Sequence, residues 1–222
     1  LIEQSFRDEP FHTLRMLYHK HVWKHVAGGT CSDKVISFVE MANAAGFSAT
    51  ISSAFIGNQE IHRIARLTID ERVYFVDVGN GWPSLMPYPT DESIEYTRFG
   101  MTFRTVIRND RIMVFHQSPG VKDGKEYKQM EILLTPRAEK DVMNDIEKRF
   151  DAENIGKYPF SNRMRFSAII DDKFLFLRDN SLLIYEKNGL EEIISVTDDE
   201  WENTLLQYFR CAVNIPDDKE EF

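Results

Sequence analysis

Apolar residues recur at helical spacing through the first 46 residues, and the period drops to two from Phe47 onward. Phe11, Leu14, Leu17 (or Tyr18) and Val22 predict a helix over 8–26 with Pro10 in its first turn. Ala27-Gly28-Gly29 break it. Thr30, with Asp33 three residues on, predicts a capping box that opens a second helix. Val35, Phe38, Val39 and Ala42 form its apolar face, and Gly46 closes it. Strands are predicted at 47–56, 61–69 and 73–78, separated by Gly57-Asn58 and Asp70-Glu71. Others follow at 94–98, 101–108, 111–117 and 126–135, with a tight turn at Asn109-Asp110. Pro136 precedes a helix to about Phe150, and Pro159 marks a further break. Three or four short strands, at 163–170, 173–178, 181–187 and 190–196, turn at Asp171-Asp172, Asp179-Asn180 and Asn188-Gly189. A second capping box, Thr197 to Glu200, opens a last helix with Trp201, Leu205, Tyr208 and Phe209 inward, before an acidic, frayed tail from Pro216. Helices, then strands, then a mixed segment make an α+β plan.

Charge narrows the partners. The 222 residues carry a net charge of −9, which argues against a nucleic-acid surface, because phosphate binding needs clustered Lys and Arg. No apolar run approaches the roughly 20 residues that span a bilayer, so no membrane partner is expected. The polar, acidic start is not a signal peptide. Two cysteines, Cys31 and Cys211, are too few for a disulfide framework or a zinc cluster. A reducing, cytoplasmic location follows as the default, with a thiol left free for chemistry. His21 and His25 share a helix face, but no acidic or Cys partner is near in sequence, so they read as a solvated helix end and no metal site is expected. Cys211 reads as packing.

Cys31 directly follows the proposed N-cap, where free N–H groups and the positive end of the helix dipole favour a thiolate. Gly28 and Gly29 before it leave room for a substrate carbonyl. A thiolate nucleophile needs an imidazole, and the imidazole needs a third group to orient it. His62 and Asp77 qualify: if 61–69 and 73–78 pair about Asp70-Glu71, parity puts both on one sheet face as direct or diagonal neighbours. A one-residue slip would separate them. Trp82-Pro83 reads either as a wall of the acceptor pocket or as a core plug.

Gly28-Gly29-Thr30-Cys31, His62-Arg63 and Val76-Asp77-Val78-Gly79-Asn80-Gly81 together resemble the arylamine N-acetyltransferases. That family has a Gly-Gly-x-Cys segment, a strand His, and an Asp-Val-Gly-x-Gly segment fifteen residues after the His, the spacing between His62 and Asp77 here. Pro159-Phe160-Ser161-Asn162-Arg163 and the hairpins that follow resemble its third lobe. The resemblance implies three lobes: a helical lobe over 1–46 carrying Cys31 and shortened at its N-terminus, a β-barrel-like lobe over 47–136 carrying His62 and Asp77, and an α/β lid over 137–222. It also implies ping-pong transfer of an acetyl group from acetyl-CoA, through a Cys31 thioester, to an amine, hydrazine or hydroxylamine, with no resident cofactor. Gly79, Asn80 and Gly81 correspond to a glycine loop beside the cofactor and acceptor site. The chain departs from the family at Ala27 (usually Arg), at Ser32, Asp33 and Lys34 (where Glu and Asn are usual) and at Asn80 (commonly aromatic). A transglutaminase-like thiol hydrolase or amide synthase, and a non-enzymatic descendant of the fold, are the alternatives. The cations offered for CoA phosphates are Lys34, Arg63, Arg66, Lys157 and Arg163.

Overall fold

The computed structural model describes residues 1–17, 26–150, 154, 157–158, 161 and 163–213. His19, His21 and His25, Pro159 and the tail from Pro216 lie outside the described residues.

Up to residue 17, where the described part of the expected 8–26 helix stops, the chain is broken into shorter pieces. Helix α1 (Ile2–Asp8) ends before Glu9-Pro10, strand β1 is Phe11–His12, and α2 is Leu14–Leu17. Pro10 disfavours a helical conformation at Glu9, so the helix stops there and the next residues run extended. The apolar spacing that suggested one helix serves different surroundings. Phe11 lines a cavity, while Leu14 belongs to a core formed with the C-terminal strands.

Helix α3 (Cys31–Ala44) forms as the capping box predicts. Thr30 N–H and Thr30 Oγ1–H both donate to Asp33 Oδ2, at 2.8 and 2.7 Å. Its face of Val35, Phe38, Val39 and Ala42 is buried. Eight antiparallel strands make the large sheet: β2 (Ser48–Ile56), β3 (Gln59–Ile69), β4 (Arg72–Val76), β5 (Tyr88–Pro89), β6 (Glu95–Arg98), β7 (Met101–Arg108), β8 (Arg111–Gln117) and β9 (Tyr127–Leu133). Their order is β5-β4-β3-β2-β9-β8-β7-β6, an open, curled half-barrel with β5 and β6 as its edges. Sequence periodicity missed β5, a two-residue edge strand containing a proline. Across the open side, Tyr96 of β6 donates to Ser84 Oγ at 3.2 Å, and Ser84 in turn hydrogen-bonds the Tyr88 hydroxyl of β5.

Helix α4 (Glu139–Arg149) packs on β2, where its Glu139 side chain accepts the Ile51 N–H at 2.7 Å. The second sheet is β1-β10-β11-β12-β13, with β10 (Arg165–Ile170), β11 (Lys173–Arg178), β12 (Ser181–Glu186) and β13 (Gly189–Ser195). The second capping box forms as a short 3-10 turn leading into helix α5 (Trp201–Phe209). Leu205 and Phe209 are buried against the second sheet, with Trp201 and Tyr208 packed beside them. Cys211 packs at the same core. The main core joins α3, the outer face of the large sheet and Phe174, Phe176 and Tyr185 of the second sheet, so the two sheets share one hydrophobic interior. Among the described residues, no helix is long and apolar enough to cross a membrane.

Candidate active site

Two turns of local chemistry bring the proposed nucleophile into place. Gly28 adopts φ +86 and packs so tightly on Pro10 that a Cβ would lie 1.9 Å from its carbonyl oxygen. Only glycine takes this conformation and approach without strain. The chain then bridges β1, with the His12 N–H donating to Gly29 O at 2.8 Å, and enters α3 at Cys31. Arg15 holds the other side of the cap through Asp33 Oδ1 at 2.9 Å.

The β3–β4 hairpin turns at Asp70 and Glu71, both left-handed, with φ 48 and 66. Its register pairs Ala65 with Val76, which makes His62 and Asp77 diagonal neighbours on one face. β4 ends at Val76, one residue before Asp77, while β3 continues past the last pair. The gap this leaves is where the three groups meet. His62 Nε2 hydrogen-bonds Asp77 Oδ1 at 2.8 Å, with His62 2% and Asp77 0% exposed. That bond leaves Nδ1 free to face the Cys31 thiol, whose ionisation the ring favours.

Asp77 is fully engaged. Its Oδ1 also accepts the Gly79 N–H at 3.2 Å, and its Oδ2 accepts the Asn80 side-chain N–H. Asn80 Oδ1 accepts the Trp82 N–H at 2.8 Å, so the residue standing where the family usually has an aromatic locks the loop and the carboxylate together. Gly79 and Asn80 line the cavity. Gly81 faces elsewhere: its carbonyl accepts the Ser167 hydroxyl at 2.7 Å, and a Cβ there would meet the Phe11 ring at 3.2 Å. Gly79 lies directly against Cys31, leaving 2.6 Å between a Cβ and the Cys31 Cα.

The electrostatics follow from this geometry. Burial by itself would push the Cys31 thiol up, but the hydrogen bond and charge of His62, then the charge of Arg149 and the Arg63 N–H, bring it down to about 7. Burial would likewise favour a neutral His62, yet Asp77 and then Cys31 push the ring up to about 10. Each group thus favours the charged form of the other, a thiolate beside an imidazolium.

Arg149 is the member of this site that sequence reasoning missed. It is the last residue of α4, 6% exposed, with Nη1 4.0 Å from Cys31 Sγ and its guanidinium 4.6 Å above the Tyr158 ring. It stands 118 residues from Cys31, and nothing local marks it. Lys34, offered as a phosphate ligand, is instead fully buried, donating to Ser5 O at 2.9 Å and to the Glu9 carbonyl at the end of α1. Burial lowers it to about 8, with Glu9 and Asp77 pulling the other way. Arg63 is also buried, donating to its neighbour's carbonyl, His62 O, at 3.0 Å.

Cys31, His62 and Arg149 open on a cavity of about 270 Å³ walled by Phe11, Ile56, Ile61, Trp82, Met130 and Phe150 among others. Trp82 fills both roles considered for it, since it lines the cavity and packs edge-on against Phe176 at 4.7 Å. His116 stacks on Phe103 at 4.5 Å and hydrogen-bonds the Tyr127 hydroxyl through Nδ1 at 3.1 Å.

A protein-family model described as N-acetyltransferase matches residues 12–217. Among solved structures, the fold is similar to the arylamine N-acetyltransferase of Nocardia farcinica, at 19% identity and TM-score 0.78, covering 97% of this chain and 81% of that one. It is also similar to the Mycobacterium marinum arylamine N-acetyltransferase solved in complex with CoA, at 15% identity and TM-score 0.75, covering 94% and 83%. A third is an arylamine N-acetyltransferase of Bacillus cereus with a Cys-His-Glu catalytic triad, at 17% identity and TM-score 0.71, covering 96% and 89%. No curated protein sequence matches the chain.

Proposed function

The chain belongs to the arylamine N-acetyltransferase family, and on that premise we propose that it carries an acetyl group from acetyl-CoA to an aromatic amine, hydrazine or hydroxylamine on Cys31, with His62 as proton carrier and Asp77 as its anchor. The observation that carries this reading is the buried His62–Asp77 hydrogen bond with Cys31 and His62 opening together on a mostly apolar cavity.

In the first half-reaction the Cys31 thiolate attacks the thioester carbonyl carbon, forming an S–C bond. The C–S bond to CoA breaks, and the departing thiolate takes the proton from His62 Nδ1. The acyl-enzyme then holds a neutral thioester and a neutral His62 still hydrogen-bonded to Asp77. In the second half-reaction the amine nitrogen attacks the Cys31 thioester, His62 takes the amine proton, and the Cys31 thiolate leaves. The original thiolate–imidazolium pair is restored. The Arg149 guanidinium, close to the sulfur, favours each state in which negative charge gathers there. Apolar walls including Trp82 and Phe150 suit an aromatic acceptor. A reducing compartment such as the cytoplasm keeps the nucleophile a thiol.

The test is direct. Incubation with acetyl-CoA is expected to leave one acetyl group on the peptide containing Cys31, read by mass spectrometry, and addition of an aromatic amine is expected to remove it. Cys31→Ala should carry no acetyl group. A wild-type protein that takes no acyl group from any short acyl-CoA would refute the proposal.

A further inference from the structure

Four cations line the cavity, Lys122, Arg149, Arg165 and Arg178, and no Asp or Glu lines it among the described residues. In a chain of net charge −9 this is a concentration of positive charge against the overall balance. Arg149 is engaged by the Cys31 sulfur and the Tyr158 ring. The other three come from two separate parts of the fold. Arg165 and Arg178 are direct cross-strand partners on β10 and β11, so their side chains project from the same face. Like charges directly opposite weaken a strand pair, and this position would accept a carboxylate as readily as a second arginine. Nearby, one carboxylate is shared: Asp179 lies 3.5 Å from Arg178 Nε and 3.5 Å from Arg163 Nη1. Lys122 enters from the β8–β9 loop, its ammonium 3.7 Å over the ring of Tyr127. The Tyr127 hydroxyl is fixed by buried His116, so the platform beneath the lysine is held in place.

The location of this group is informative. Lys122 and Arg178 also line a second, shallower depression of about 320 Å³, together with Asp179 and Ser181. They therefore stand where the cavity passes into this shallower, more open depression. An anion held there belongs to a long ligand, with its reactive end at Cys31 and its charged end at the water boundary. A small charged amine would lie wholly inside. We propose that Lys122, Arg165 and Arg178 receive the phosphate groups of the acyl donor. This rests on the acyl-CoA reading above, and it replaces Lys34, Arg63, Arg66, Lys157 and Arg163 as the phosphate-binding set. Two of those, Lys34 and Arg63, are buried away from any ligand.

The test compares two acetyl thioesters with the same reacting end: acetyl-CoA, and S-acetyl-N-acetylcysteamine, which has no phosphate. For each, kcat/KM for acylation of Cys31 is measured in wild type, Lys122→Gln, Arg178→Gln and Arg178→Lys. Losing one charge-assisted contact is expected to lower the ratio of the two constants, acetyl-CoA over the phosphate-free thioester, about tenfold in each Gln variant. Arg178→Lys should retain part of the preference. In wild type the ratio should also fall as salt is raised, a readout that needs no substitution. A ratio that is the same in all four proteins and insensitive to salt overturns the proposal. So does an unchanged ratio accompanied by a raised KM for 4-aminobenzoate but not for aniline, which would assign these cations to the acceptor's carboxylate. Wild type acylated by the phosphate-free thioester but not by acetyl-CoA would overturn the acyl-CoA reading itself, and is distinguishable from both.

Discussion

Asp77→Asn is expected to slow acylation of Cys31 by about 10⁴-fold, the loss seen when the carboxylate of a comparable triad is made an amide. The reason lies in the donors that surround this side chain. His62 Nε2–H, the Gly79 N–H and the Asn80 amide N–H all point at its two oxygens. An amide has one acceptor oxygen, so its NH₂ must face either the Asn80 amide or the imidazole. Turned to the imidazole, it demands the tautomer that carries the proton on Nδ1 and cannot support the imidazolium. The first effect that holds the His62 ring up against burial is the charge of Asp77, and it would be gone. His62 would then become neutral, and the Cys31 thiolate would lose its counter-ion. Single-turnover acylation by acetyl-CoA, with circular dichroism to verify folding, reads the effect. A folded variant that loses less than tenfold would mean that Asp77 does not anchor the imidazole.

Gly79→Ala should cost about 10²-fold in the same assay, the scale expected when a reacting atom is displaced by about 1 Å. A Cβ at residue 79 would lie 2.6 Å from the Cys31 Cα and 2.7 Å from its Cβ. Both are anchored by the first turn of α3, so neither can yield as a flexible chain end would. Gly79 has no left-handed backbone, and the penalty is therefore steric and local to the nucleophile. Acylation at the wild-type rate, with an unchanged unfolding midpoint, would show that the loop and the helix start are not held in contact.

Much of this site is legible in the sequence. The capping box at Thr30 and Asp33 fixed where α3 begins, and so put Cys31 at its first turn. The turn at Asp70-Glu71 fixed the parity of β3 and β4, and so the face shared by His62 and Asp77. Both signals are local: a few residues set a register, and the register places side chains far along the strands. What was not legible depends on packing between distant segments. Arg149 reaches Cys31 because α4 lies on β2, and no residue near Arg149 encodes that docking. Lys122, Arg165 and Arg178 converge only when the β8–β9 loop meets the second sheet. Lys34 shows the opposite failure, since a lysine one turn past the nucleophile looked available for a ligand until α1 folded its terminal carbonyls around the ammonium. The misread first helix has a similar origin: Phe11, Leu14 and Leu17 share a helical period, yet β1 pairs with β10 and draws Phe11 to the cavity.

The proposed mechanism needs a sulfur that ionises beside a protonated imidazole before substrate arrives. The rate of Cys31 alkylation by iodoacetamide, followed from pH 5 to pH 10, measures this in the resting enzyme, with Cys31→Ala correcting for Cys211. The thiolate fraction grows as pH rises, so the rate should climb through a midpoint near 7, where the charge and hydrogen bond of His62 hold the thiol. A midpoint at or above about 8.5, that of an ordinary cysteine, would mean that Cys31 and His62 share no ion pair.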